Sequence, residues 1–312
     1  MSMLRSALLW ASQNPRMERV VRSSRAMRPL VSRFMPGETI EEVLTATRGL
    51  QASGTPVIIT YLGENVTSEA AADDTLAEYQ RLVAALQPMR DRAHVSIKLT
   101  QFGWDLHKDR ALDRVRILSA AVASSGSILA IDMEASPYVE STIAAYETLA
   151  RNARHVALCL QAYLHRTPAD VQRLLAVQPY IRLVKGAYRE NASVALQSRT
   201  EIDARYRDLA RTLLRASAQG ARVALGTHDV PLVQRIRDDA RSLGVSDDGY
   251  EIQMLYGIQD AGRRQLATAG FRTRVLISYG KAWYAWFMRR LAEKPSNLVL
   301  VSRNLFSRGV VQ

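Results

Sequence analysis

Two cations and a glycine stand at the end of a short apolar run that is predicted to be a buried strand. The run spans residues 181–188 and contains Arg182, Lys185 and Gly186. Burying an unpaired guanidinium or ammonium group is costly, so each cation is expected to reach solvent or to meet an anion. The two cations lie three residues apart and would face opposite sides of a regular strand. One of them must therefore lie in the following loop.

Polar side chains recur late in other apolar runs of the sequence. A single Lys or Gln at such a place is more often part of the solvated surface. In a parallel barrel, however, the ends of the strands surround the active site, so polar residues at equivalent places favour a shared site. Six runs contribute Lys98, Asp132 with Glu134, Gln161, Arg182 with Lys185, Thr227-His228-Asp229, and Gln253 with Tyr256.

The segment from Trp283 to Glu293 is predicted to be a helix that carries two adjacent arginines. Arg290 continues an apolar stripe, Arg289 lies about 100° away around the helix, and Glu293 is close enough to pair with either. One interpretation is a packed helix with a salt bridge at its edge. The other is an arginine pair that binds a carboxylate, with Glu293 orienting one guanidinium group.

These residues are positioned by a regular alternation of β-rich runs and segments with helical spacing. Strand and helix alternating eight times is typical of a (β/α)₈ TIM barrel. A doubly wound open sheet is the structural alternative, but no glycine-rich dinucleotide fingerprint follows the first run and no Walker-type phosphate loop is present. The runs span residues 55–62, 94–102, 127–133, 155–162, 180–188, 221–227, 250–256 and 274–279.

Residues 1–54 lie outside this alternation and are predicted to form two or three helices, joined at Asn14-Pro15 and Pro36-Gly37. We expect this N-terminal helical segment to pack on the barrel rather than to form a separate domain. Residues 55–312 would then form the barrel itself.

Composition restricts the class of protein. The chain has 312 residues, of which 47% are hydrophobic, enough for a full core. No apolar run approaches the length of about 20 residues that crosses a bilayer. The single cysteine, Cys159, rules out an internal disulfide framework and suits a reducing cytoplasm. The net charge is +12, but the arginines are spread along the chain, so we predict a solvated basic surface rather than a nucleic-acid-binding protein.

Four arginines near the N-terminus raise the question of membrane contact. Arg16, Arg19, Arg22 and Arg25 recur every third residue among apolar side chains. A basic amphipathic helix of this kind could lie on anionic lipid. A period of three drifts around a helix, however, so a solvated face is the favoured interpretation.

The order of these motifs resembles the monofunctional bacterial proline dehydrogenases over nearly the whole chain. Any single motif is unspecific, whereas the ordered set is specific. It comprises Lys98 in Ser96-Ile97-Lys98-Leu99, Asp132-Met133-Glu134, Arg182-Leu183-Val184-Lys185-Gly186-Ala187-Tyr188, Gly226-Thr227-His228, Gln253-Met254-Leu255-Tyr256-Gly257, and Arg289-Arg290 with Glu293.

The resemblance implies a distorted (β/α)₈ barrel whose last helix covers the strand ends and which holds FAD without a Rossmann fold. It also implies hydride transfer from L-proline to FAD, giving 1-pyrroline-5-carboxylate, and electron transfer to a quinone. We predict a cytoplasmic location and leave open a peripheral site on the inner face of the cell membrane. By resemblance, Asp132 and Arg182 are catalytic; Lys98, Leu255, Leu276, Arg289 and Arg290 bind substrate; and Met133, Gln161, Arg182, Lys185, Gly186, Ala187, Thr227, His228 and Glu293 bind the cofactor.

Two places depart from the family pattern. Leu276 and Ser278 stand where the family usually has Tyr and Pro, and the usual Tyr contacts the substrate ring. Leu276 keeps an apolar wall but loses the hydroxyl group and the aromatic face, which predicts an altered pocket and leaves open a substituted proline or another cyclic amino acid as substrate. After Glu134, Ala135-Ser136 replaces the family's usual Asp-His pair.

Two other functions stay open at this point. A barrel with lysines at its strand ends could be a Schiff-base aldolase that uses Lys98 or Lys185. Alternatively, the departures at Leu276 and Ala135-Ser136 could mark a non-catalytic or re-specialised member of the family.

Overall fold

Eight parallel strands form a closed barrel, as the alternation in the sequence predicts. The computed structural model describes residues 14–24, 27–151 and 153–293. Each strand pairs with the next along the chain, and β8 closes the barrel on β1 with Val57 opposite Val275. The strands are β1 (Val57–Tyr61), β2 (Ala93–Ile97), β3 (Leu129–Ile131), β4 (Val156–Gln161), β5 (Tyr180–Val184), β6 (Arg222–Gly226), β7 (Glu251–Leu255) and β8 (Arg272–Tyr279).

Helices connect successive strands and surround the barrel. Among the described residues, three helices precede it, α1 (Pro15–Ser23), α2 (Arg28–Phe34) and α3 (Ile40–Ala52). The connecting helices are α4 (Glu69–Leu86), α5 (Lys108–Ser124), α6 (Val139–Ala150), α7 (Thr167–Leu175), α8 (Arg199–Ser217), α9 (Val230–Ser242) and α10 (Asp260–Thr268), and α11 (Trp283–Glu293) follows β8. In the described part of the chain, no helix combines the length and the apolar character that a membrane crossing requires.

The run predicted over residues 94–102 is a strand only in its first half. β2 ends at Ile97, and Leu99–Phe102 forms a 3₁₀ helix. The Gln101 side chain accepts a hydrogen bond from the Lys98 N–H group at 2.8 Å and donates to the Tyr61 carbonyl at 2.5 Å. These bonds satisfy backbone groups outside the strand ladder, so the chain turns at Lys98 and places its side chain at the end of the barrel.

Two apolar clusters hold the fold together. The larger lies between the outer face of the barrel and the helices, and the strands contribute alternate residues such as Val57 and Ile59 to it. The second joins α11 to the N-terminal helices through Phe34 and Phe287, whose ring centroids are 6.1 Å apart. Leu62, which follows β1, belongs to this second cluster. The last helix therefore lies over the carboxyl ends of the strands, as the family resemblance implies.

A close backbone contact joins α2 to the loop after β7. Gly257 has φ +70°, and a Cβ atom there would lie 1.6 Å from the carbonyl oxygen of Arg33. Only glycine accommodates both this conformation and this approach. The position therefore determines how closely the N-terminal helices pack on the barrel.

Candidate active site

Arg182 occupies the centre of the barrel and is almost fully buried. Its guanidinium group forms an ion pair with Asp132. It also donates to the Ser96 hydroxyl at 2.9 Å and to the Gln253 side-chain oxygen at 3.5 Å. The anion that the sequence required for this cation is thus a carboxylate of the protein itself, supplied by the loop after β3.

Lys98 extends the ion pair toward the carboxyl end of the barrel. Its ammonium nitrogen lies 3.5 Å from Asp132 and 3.5 Å from Glu64. Burial opposes the charge on Lys98, but the two carboxylates outweigh burial and raise the pKa of this lysine. Burial likewise opposes the charge on Asp132, but Arg182 and Lys98 outweigh it and lower the pKa of this carboxyl group. Lys98 and Asp132 are therefore held in their charged forms at neutral pH.

Lys185 lies in the loop after β5, so it is the one of the two cations that falls outside the strand. Its ammonium nitrogen is 2.9 Å from Asp229 and 2.5 Å from Asp203. An ammonium group has three N–H donors, so these two carboxylates leave one donor for a further acceptor. Arg182 and Lys185 therefore have different carboxylate partners and lie at different places in the barrel.

A buried acid follows Asp132 at the end of β3. Glu134 accepts hydrogen bonds from the Thr100 N–H group at 3.1 Å and from the Thr100 hydroxyl at 2.6 Å. Burial raises the pKa of Glu134 to about 7, although the bonds from Thr100 act in the opposite direction. The Gln161 side chain donates to the Glu134 carbonyl at 2.9 Å. Gln161 thus ties the end of β4 to the loop after β3.

The predicted cofactor residues lie at the ends of β3 to β6. Gly186 has φ +121°, and a Cβ atom there would lie 2.2 Å from the Tyr163 ring, so the turn after β5 requires glycine. The Leu255 N–H group donates to His228 Nε2 at 3.4 Å, which places the proton of a neutral ring on Nδ1. Met133 and Thr227 are buried, whereas Ala187 is exposed in the β5 loop.

Leu255 and Leu276 are neighbours on the inner face of the barrel. They are register partners on β7 and β8. Both are partly exposed, whereas the residues before them on each strand are buried. They form an apolar wall on the side of the barrel opposite the ion pairs. The structure thus brings Lys98, Asp132, Arg182 and these leucines together at the carboxyl end of one lumen.

Three predicted site residues lie on α11, but their side chains lie outside the described part of the structure. The helix includes the backbone positions of Arg289, Arg290 and Glu293. The contacts of Trp283 and Phe287 place this helix over the strand ends. Arg25 of the N-terminal basic segment also lies outside the described residues.

Two groups at this end of the barrel carry no sequence signal of their own. Glu64 pairs with Lys98 from the loop after β1, where the sequence shows only an ordinary acidic residue. Ser136 donates its N–H and hydroxyl groups to Glu190, each at 2.7 Å. This pair joins the β3 loop to the β5 loop, and it occupies the place where Ala135-Ser136 departs from the family pattern.

The arrangement concentrates cations and amide donors beside an apolar wall in a space shielded by a helix. Such a site binds a molecule with an anionic group and a small apolar body. It also stabilises negative charge that develops on a bound group, because fixed cations act more strongly where water is excluded.

Comparison with known proteins identifies relatives over almost the whole chain. The family model described as proline dehydrogenase matches residues 43–303. Proline dehydrogenase 1 of Bacillus subtilis is 31% identical over 306 residues, covering 98% of this chain and 100% of the relative. The proline dehydrogenase of Deinococcus radiodurans is 34% identical over 306 residues, covering 96% of this chain and 97% of the relative.

A solved structure has the same fold. Proline utilization A from Bdellovibrio bacteriovorus superposes with a TM-score of 0.82 at 22% sequence identity, covering 93% of this chain and 36% of that longer chain. The barrel with its N-terminal and C-terminal helices is therefore an architecture shared with that protein.

Proposed function

This chain belongs to the proline dehydrogenase family, and from that premise we propose that it oxidises L-proline or a close cyclic analogue, with FAD as cofactor. The observation that carries the proposal is the buried series of charges that runs from Arg182 within β5 to Asp132 and Lys98 at the carboxyl ends of β3 and β2. In a barrel of this kind, that end holds the active site.

The residues at this end suit a flavin. A reduced flavin carries negative charge, and Arg182 is a buried cation that Asp132 and Ser96 hold in one orientation. Lys185 has a third N–H donor for a phosphate or carbonyl oxygen, and the glycine turn beside it leaves its backbone accessible. Gln161, Thr227 and His228 complete the proposed cofactor set, together with Met133, Ala187 and Glu293. FAD, when bound, supplies the hydride acceptor for the reaction.

The charged residues and the apolar wall have different proposed roles toward the substrate. Oxidation of a cyclic amine removes a hydride equivalent from the carbon beside the ring nitrogen and a proton from that nitrogen, and leaves a C=N bond. Lys98 is a fixed cation for the substrate carboxylate, and we assign the same task to Arg289 and Arg290. Leu255 and Leu276 pack against the ring and exclude water.

The Schiff-base aldolase is disfavoured by the charge state of the lysines. Such an enzyme needs a neutral amine to attack a carbonyl carbon. Lys98 is instead held as an ammonium ion between Glu64 and Asp132, which raise its pKa. The ammonium nitrogen of Lys185 lies 2.5 Å from Asp203 and 2.9 Å from Asp229, so both carboxylates occupy the space that a carbonyl substrate would need.

The proposal also includes the electron acceptor and the place of the enzyme in the cell. We assign a quinone as the acceptor and a peripheral site on the membrane, supported by the basic helix α1. Its apolar side chains Met17 and Val20 are 40% and 63% exposed. Exposed apolar groups beside arginines suit the interface of an anionic bilayer.

Two measurements on the purified protein test the proposed function. The absorption spectrum should show bound flavin, and turnover with an artificial electron acceptor should be highest for one member of a panel of L-proline, hydroxyprolines and ring analogues. A colourless protein that fails to bind added FAD would exclude the flavin enzyme. Bound FAD without turnover of any substrate would instead support a non-catalytic member of the family.

A single substitution tests whether Leu276 lines the substrate pocket. Leu276→Tyr restores the usual family residue and should shift preference toward unsubstituted proline, because the new ring narrows the space opposite the ion pairs. The measurement is kcat/KM across the substrate panel. Ile117→Tyr, at a position on α5 that is 51% exposed, is the matched control and should leave the profile unchanged. An identical profile in Leu276→Tyr would place this side chain outside the pocket.

A further inference from the structure

A cavity of about 580 Å³ opens at the amino ends of the barrel strands, opposite the candidate active site. Small-molecule sites commonly have volumes of this size. The strands contribute the first inward-facing side chains to its floor, and two arginines stand at its rim. These residues are His94, Tyr180, Glu251 and Arg274 on the floor, with Arg222 and Arg272 at the rim.

The floor contains a neutralised ion pair. Arg274 and Glu251 are both buried, and the Arg274 Nε atom donates to Glu251 at 2.8 Å. Arg274 also donates to the carbonyl oxygens of Val57 and Arg92 at 3.2 and 3.3 Å. Glu251 neutralises the charge of Arg274, and these partners accept from most of its N–H donors. This arginine therefore lines the floor but adds little to the net charge of the cavity.

The two rim arginines differ from Arg274, because neither has a carboxylate within 4.0 Å among the described residues. Arg222 donates to the Arg154 carbonyl at 3.5 Å and lies over the Tyr180 ring, 4.2 Å from its centroid. Arg272 donates to the Asp248 carbonyl at 3.2 Å. A guanidinium group has five N–H donors, so most donors of both arginines remain for another anion.

His94 lies on the floor between these cations and is 7% exposed. Within the described residues, no protein group hydrogen-bonds its ring. Burial, reinforced by the charges of Arg274, Arg222, Arg182 and Arg272, lowers the pKa of His94. The ring is therefore neutral, and it offers one N–H donor and one acceptor to the cavity. Because the His94 ring lines the cavity, these two groups can contact a molecule bound there.

A simpler account explains part of this arrangement. Arg222 and Arg272 are both exposed, as most surface arginines are, and they donate to the carbonyl groups of Arg154 and Asp248 in loops. That account explains one carbonyl contact for each rim arginine. It does not explain two guanidinium groups without carboxylates beside a buried imidazole that faces the same space.

We propose that this cavity is a second binding site, which takes a small organic dianion carrying carboxylate or phosphate groups. Arg222 and Arg272 bind the two negative charges at the rim, and His94 donates a hydrogen bond from the floor. Two guanidinium groups that lack carboxylate partners match a dianion better than a single charge. This site does not depend on the proposed oxidation, because it lies at the other end of the barrel.

The test is isothermal titration calorimetry of the flavin-loaded protein with succinate and, separately, with inorganic phosphate. Sodium chloride at matched ionic strength serves as the blank. The variant Arg222→Gln/Arg272→Gln removes the two rim charges. The control Arg110→Gln/Arg116→Gln removes two charges from the exposed face of α5, where these side chains are 65% and 51% exposed.

The native protein should bind one of the two probes saturably, and the probe that binds distinguishes a carboxylate ligand from a phosphate ligand. The rim variant should weaken this binding about tenfold or more, since each lost guanidinium removes charge-assisted hydrogen bonds. The control variant should keep the native dissociation constant within about twofold, because exposed charges far from a site contribute little in salt. Absence of saturable heat above the chloride blank, or equal weakening in both variants, would overturn the proposal.

Discussion

Removing the charge of Asp132 should destabilise the protein far more than removing the charge of an exposed acid. Asp132→Asn keeps an oxygen that accepts a hydrogen bond from Arg182 but leaves this buried guanidinium without a carboxylate partner. Arg182 is 4% exposed and cannot recover solvation by turning toward water. Lys98 is affected less, because Glu64 remains 3.5 Å from its ammonium nitrogen.

The size of the effect follows from the burial of the pair. Breaking a buried ion pair by removing one partner costs about 3 to 5 kcal/mol. Unfolding entropy is about 2.1 cal/mol/K per residue, so the 312 residues give about 0.7 kcal/mol per degree. The melting temperature should therefore fall by about 4 to 7 °C.

Thermal unfolding followed by circular dichroism at fixed FAD concentration measures this change. The matched control is Asp113→Asn, which breaks the surface ion pair with Arg116 on α5, where the two side chains are 65% and 51% exposed. Solvent screens such pairs, so the control should shift the melting temperature by about 1 °C or less.

A double variant separates the buried charge from other effects of the substitution. Replacing both partners, as in Asp132→Leu/Arg182→Met, should recover part of the stability lost in Asp132→Asn, because no uncompensated guanidinium remains. If Asp132→Asn shifts the melting temperature no more than Asp113→Asn does, the ion pair does not stabilise the lumen and the reasoning fails.

Three further predictions concern pH, packing and substrate binding. The pKa of Glu134 is about 7 in the folded protein and 4.5 in the unfolded chain, so the free energy of unfolding should fall as pH rises between these values. Urea denaturation at several pH values measures this slope, and Glu134→Gln should remove it. An unchanged slope in the variant would contradict the assignment. Gly257→Ala should separate α2 from the barrel and increase cleavage by a protease, because the new Cβ would lie 1.6 Å from the Arg33 carbonyl oxygen. The control Gly244→Ala has a similar φ of +71° and open space around the Cβ, so it should lose only the stability that a positive φ costs alanine. Arg290→Ala should raise KM for the substrate by about tenfold or more without loss of flavin, and an unchanged KM would refute the carboxylate role.

Much of the fold could be predicted from sequence because each strand and helix leaves a local pattern. Each of the eight apolar runs overlaps one barrel strand, and the aromatic stripe through Trp283 correctly predicts a packed helix. The boundaries were less predictable. The sequence predicts one strand over residues 94–102, but β2 ends at Ile97, where the Gln101 side chain accepts a hydrogen bond from the Lys98 N–H group.

The candidate site was predictable in its members but not in their pairings. Strand parity predicts that one of Arg182 and Lys185 lies in the loop, but only the structure shows that Lys185 is the one that does. Their partners do not follow, because Asp132 is 50 residues from Arg182 and Asp229 is 44 residues from Lys185. The ion pair between Glu64 and Lys98 could not be predicted either, since nothing in the local sequence distinguishes Glu64 from a solvated acid.

The sequence alone determined the order of the elements, the polar residues at the strand ends and the family to which they correspond, because these are properties of local spacing. Only the tertiary structure decided which charges neutralise one another. Closing the barrel brings the ends of distant strands within hydrogen-bonding distance. This closure pairs Arg274 with Glu251, whereas Arg222 and Arg272 have no carboxylate within 4.0 Å in the part of the chain that the structure describes. The charge of each end of the lumen is therefore a property of the closed barrel, set by strand register rather than by composition.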